Sequence, residues 1–80
     1  MYGWCKLLKE TKNDMVIGYS WQEDNNCDGR LTFNKMTKIV SVDKLSSSAD
    51  RAKTSYFICP LRSRIHKGME LGKLYMVATG

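Results

Sequence analysis

The residues of this chain best suited to chemistry are three cysteines and one histidine: Cys5, Cys27, Cys59 and His66. A Cys3His set of this kind can hold zinc, but structural zinc sites draw their ligands in close pairs such as CxxC, and these cysteines are widely separated. For nucleophilic catalysis the pair to consider is Cys59 with His66, because a thiolate needs a base within hydrogen-bond reach. Seven residues along a helix is about 10 Å of rise, too far for contact if the helix continues through Pro60. The run from Asp24 to Gly29, DNNCDG, offers calcium-type oxygens but lacks the twelve-residue register and closing glutamate of an EF-hand. Glu23, Asp24 and Asp28 share that loop, where solvated carboxylates are the default. No phosphate-cradling glycine motif is present, since Gly68 and Gly72 flank Glu70 rather than a helix start. These observations argue against an enzyme, and they name no metal ligand and no cofactor.

A different kind of site is offered by Lys53, Tyr56, Arg64 and Lys67, which share one side of a candidate helix and join basic groups to an aromatic ring. Arg51 and Arg62 lie nearer the edge of its apolar side. Such a face can neutralise phosphates while a tyrosine packs on a sugar or base, or it can be a solvated face that keeps a small protein soluble. Charge placement sharpens the choice. Residues 1–50 hold seven basic and seven acidic side chains, whereas residues 51–80 hold six basic ones against Glu70 alone, so the whole net charge of +5 sits on the helix and tail. An anionic partner, nucleic acid first among them, is therefore one candidate.

The element that must carry this face is the stretch from Leu45 to Met69, the only one long enough for a full helix. Ser46, Ser47 and Ser48 are candidate N-caps, Asp50 lies near the positive end of the dipole, and Gly68 is a natural stop. Ile58, Leu61, Ile65 and Met69 form the expected apolar stripe, with Phe57 at its margin. Pro60 either bends this helix or breaks it in two, the second part then starting at the proline.

The remaining segments read as short strands. Tyr2 to Leu8 alternates and carries aromatics; Met15 to Trp21 sets Met15, Ile17, Tyr19 and Trp21 strictly against Val16, Gly18 and Ser20; Arg30 to Asn34 points Leu31 and Phe33 inward. Ile39 to Val42 gives a fourth strand, and Lys73 to Thr79 a fifth. Asn13-Asp14 and the loop from Gln22 to Gly29 reverse the chain between them. The expected fold is α+β: an antiparallel four- to five-stranded meander in the order β-β-β-β-α-β, with the helix packed across one face. Lys44 to Asp50 is the one candidate for a flexible connection.

Eighty residues, 42% of them hydrophobic and 26% charged, suit a single folded domain over 1–80 with a small core. No apolar run approaches the roughly 20 residues that span a bilayer, and the first residues do not resemble an export signal. An odd, scattered set of cysteines suggests reduced thiols and a cytoplasmic setting without a membrane partner. The expectation is a small non-catalytic binding module that engages a protein partner or a second copy of itself. Its alternative is a nucleic-acid-binding regulator working through Lys53, Tyr56, Arg64 and Lys67. Tyr2, Trp4 or Tyr75 on an uncovered sheet face, or an unpaired edge strand, would supply the protein-binding surface.

Overall fold

The computed structural model describes residues 1–79. Five strands, β1 (Tyr2–Glu10), β2 (Asp14–Trp21), β3 (Gly29–Asn34), β4 (Val40–Lys44) and β5 (Leu74–Ala78), and one helix, α1 (Arg51–Lys67), follow the expected order. The sheet is antiparallel with strand order β4-β3-β2-β1-β5. Each of β2, β3 and β4 pairs with its predecessor, and the chain returns after α1 to lay β5 on the far side of β1. Both β4 and β5 are therefore edges.

Strict alternation decides the faces, because successive side chains of a strand point to opposite sides. Cys5 and Leu7, then Met15, Ile17, Tyr19 and Trp21, then Leu31 and Phe33, and finally Val77 all face α1 and are buried with Phe57 and Leu61. In β1 the register slips between Leu7 and Lys9, a bulge that leaves Leu8 on the opposite face beside Gly18.

The helix meets this core along Thr54, Phe57 and Leu61, while Ile58 and Ile65 are only half-buried and Met69 falls beyond the helix end. The apolar stripe expected from sequence is thus rotated: Phe57 is central, not marginal. Two features pull it there. Gly3 presents no side chain, and a Cβ on it would lie 2.5 Å from the Phe57 ring. Thr54 contributes a hydroxyl that the core uses. The Tyr19 hydroxyl accepts from the Ser46 N–H at 3.1 Å and lies 2.7 Å from the Thr54 oxygen, whose own proton goes to the Asp50 carbonyl at 2.8 Å. Tyr19 must therefore donate to Thr54, so every polar atom of this buried cluster has a partner.

Asp50 is the N-cap, accepting from the Lys53 N–H at 2.8 Å, so the helix begins later than the serines suggested. It runs through Pro60 as one element, although the proline removes one helical N–H and crowds the carbonyl of Tyr56 four residues back. Gly68 ends it at φ +98, a conformation L side chains rarely adopt, with its N–H donating to the Ile65 carbonyl.

The three serines are not a flexible connection. The Asp28 carboxylate accepts from the Ser46 hydroxyl at 2.7 Å and the Ser47 N–H at 3.1 Å, and the Ser48 hydroxyl accepts from the Trp21 N–H at 2.8 Å. These donors hold the Asp28 carboxyl down at about 2. A carboxylate depressed in the folded state contributes stability above its unfolded value, near 3.9, and loses it as pH falls through about 2. The stability difference between the wild type and Asp28→Asn is accordingly expected to be constant above about pH 5 and to shrink toward pH 2. Urea titrations across that range measure it, and a difference that stays flat would show that Asp28 does not anchor the segment through its charge.

Candidate binding surfaces

The residues singled out for catalysis are not brought together. Cys5 faces the helix, Cys27 is buried over the opposite face of the sheet, and Cys59 is exposed on α1. Because α1 is continuous, Cys59 and His66 stay about two turns apart. Burial pushes the Cys5 thiol up to about 12 and raises that of Cys27 as well, which suppresses the thiolate each would need as nucleophile or ligand. No group of three potential metal ligands occurs among the described residues.

The loop after β2 also changes the sheet's second face. Cys27, held at φ +53, folds back so that its N–H donates to the Ser20 hydroxyl at 3.2 Å, and a Cβ on Gly18 would lie 2.8 Å from its carbonyl oxygen. The centre of that face is therefore covered. Tyr2 and Trp4 of β1 remain on it in an edge-to-face pair, ring centroids 6.0 Å apart, next to the exposed Met76 of β5. Tyr75 lies on the other side of the sheet, since it pairs with core-facing Cys5.

Lys53, Tyr56, Arg64 and Lys67 do fall along one flank of α1, the flank toward β5. Lys53, Tyr56 and Lys67 are exposed, Tyr56 at 68%. Arg64 differs from the sequence-based expectation: it is half-buried, with its guanidinium 4.6 Å above the Tyr75 ring centroid and Nη2 donating to the Gly68 carbonyl at 3.0 Å. Lys73 reaches the same ring at 5.3 Å. A tyrosine with two cations against its ring is favourable electrostatics that also fixes where the charges sit. The Arg64 Nε–H is buried and has no acceptor among the described residues.

This flank borders a groove of about 270 Å³, walled by Pro60, Ser63, Arg64 and Lys67 on the helix and by Met76, Val77 and Ala78 on the strand. The Thr79 N–H donates to the Met1 carbonyl, which makes Thr79–Met1 a hydrogen-bonded pair of the β1–β5 ladder. Alternation along an antiparallel ladder then turns the N–H and C=O of Val77 and Tyr75 toward β1 and those of Leu74, Met76 and Ala78 outward to the free edge. The sequence marked the helix cations but not the strand edge. Only the pairing of β5 with β1 reveals which backbone groups are left over.

A second cleft lies on the opposite flank of α1, lined by Phe33, Lys38, Arg62, Ile65 and His66. Among the described residues the single ion pair is Lys35 with Glu10, at 2.5 Å, so the cations of both flanks are without carboxylate partners there. No helix among the described residues is long and apolar enough to cross a membrane. No protein-family model matches the chain, and neither a curated protein nor a solved structure is significantly similar to it. The class defined by fold and surface is thus a five-stranded antiparallel α+β sheet with one covering helix and an open edge beside a basic groove.

Proposed function

We propose that this chain is a non-catalytic binding module that takes an extended, acidic segment of a protein partner as an added strand on β5. The observation that carries this reading is the free edge of β5, whose outward N–H and C=O groups adjoin a groove flanked by Arg64, Lys67 and Lys73. An unpaired edge is a template for strand addition: main-chain hydrogen bonds supply affinity and flanking side chains supply choice. The same cations disfavour a second copy, because an antiparallel pairing of two β5 edges would bring like charges together.

A blocked peptide of alternating valine and glutamate is the probe. Its addition is expected to slow amide hydrogen exchange at Met76 and Ala78 while leaving Tyr75 and Val77, already paired to β1, little changed. Met76→Pro should abolish the effect, since proline at an outward position removes a free-edge N–H and no ladder bond. Equal protection in the proline variant would defeat the proposal, and concentration-dependent protection without peptide would replace the acidic partner by a second copy.

A second reading rests on the exposed Lys53, Tyr56 and Lys67 along the same flank. It is a nucleic-acid surface in which those cations neutralise phosphates. It requires retention on a mixed DNA and RNA column that is lost at raised salt and in the Lys53, Arg64, Lys67 triple alanine variant. Flow-through at low salt removes it.

A further inference from the structure

The cleft on the other flank of α1 has a volume of about 390 Å³, near the lower end of the range for small-ligand pockets of about 300–1,000 Å³. Its apolar part is built by Phe33, which is 8% exposed, and by half-buried Ile65. Its polar part is built by Lys38, Arg62 and His66, and no acidic side chain lines it. Arg62 and His66 lie four residues apart on α1 and so share one side of the helix, near its negative C-terminal end. Lys38 comes from the β3–β4 turn and is held rather than free at the backbone. It sits at φ +64 with its N–H donating to the Asn34 carbonyl at 2.8 Å, while the Asn34 side chain accepts from the Met36 and Thr37 N–H groups.

Helix-end complementarity accounts for basic residues in the last turn of α1. It does not account for Lys38, which arrives from another element, nor for a cleft with an apolar wall between unpaired cations. We infer that this cleft binds a small phosphate monoester with a flat or short apolar body, the phosphate between Lys38 and Arg62 and the body against Phe33 and Ile65. A dianionic headgroup matches two cations from separate elements, and a guanidinium can grip it through two N–H groups at once. The open cleft implies weak binding, with a dissociation constant on the order of 0.1–1 mM. This site is independent of the β5 edge, from which α1 separates it.

Phenyl phosphate titrated into the isotopically labelled protein, followed by backbone and methyl shifts, is the test. Saturable shifts are expected at Ile65, Arg62 and Lys38 without change at Met76 or Ala78. Inorganic phosphate should bind at least about tenfold more weakly, because it makes no contact with the apolar wall. The Lys38→Ala, Arg62→Ala double variant, at two exposed positions, should keep the wild-type melting temperature and lose at least about tenfold in affinity. Equal affinity for phenyl and inorganic phosphate, or undiminished binding by the double variant, would overturn the assignment. A blocked phosphotyrosine tripeptide binding more than tenfold tighter than phenyl phosphate would also overturn it, in favour of a headgroup carried by a protein.

Discussion

Replacing Phe57 by alanine is expected to cost about 3–5 kcal/mol, the range for removing a large aromatic side chain from a packed core. Its ring has no exposed surface, lies 5.9 Å from that of Tyr19 in a stacked arrangement, meets Trp21 edge-on at 6.4 Å, and fills the space over Gly3. Deleting it leaves a cavity that the rigid sheet cannot close. A domain of this size holds about 4–12 kcal/mol in total, at 0.05–0.15 per residue, so much of the folded population is at stake. Ile58→Ala, by contrast, removes a half-buried side chain and should cost about 1 kcal/mol. Urea midpoints at constant m-value measure both. If the Ile58 variant lost as much as the Phe57 variant, α1 would be rotated relative to the sheet from the orientation described.

Gly29→Ala is expected to cost about 3 kcal/mol although it adds one methyl group. A Cβ at this position would lie 2.7 Å from Cδ1 of Tyr19 and 2.8 Å from the Ser46 nitrogen. Neither neighbour can retreat cheaply. The Tyr19 ring is held by its hydroxyl bonds to Thr54 and Ser46 and by Phe57, and Ser46 is held through its hydroxyl and the following N–H of Ser47, both of which donate to Asp28. Overpacking of a rigid site costs about 1–3 kcal/mol, and any shift that opens the Tyr19 hydrogen bonds adds about 1–3 more. Tyr19→Leu in the same chain should absorb part of the penalty, giving a non-additive double-mutant cycle. A Gly29 variant within about 0.5 kcal/mol of wild type would show that the segment around Ser46 is mobile after all.

The two variants also separate what could be read in advance from what could not. Gly29 stood in the sequence as the glycine of an Asp-Gly turn, a matter of backbone freedom, whereas the structure makes it a close approach between β3, the Tyr19 ring and the chain leading into α1. Phe57 stood at the edge of an apolar stripe because counting apolar residues gives no weight to Thr54. The threonine faces the core, where its hydroxyl oxygen accepts from Tyr19. Arg64 looked like one more solvent-facing cation, and nothing local indicates that Tyr75, eleven residues later, would lie beneath it.

By itself the sequence determined the element order, the inward residues of β2 and β3, the end of the helix at Gly68 and the net positive charge of the C-terminal part. These follow from periodicity, turn residues and composition, all of them local. Tertiary structure alone decided that β5 would pair with β1 rather than β4, leaving its outer backbone groups free beside Arg64 and Lys67. It alone brought Lys38 across to Arg62 and His66. Both outcomes depend on contacts between residues tens of positions apart, whose geometry is set by the packing of α1 on the sheet and by no neighbour in the chain.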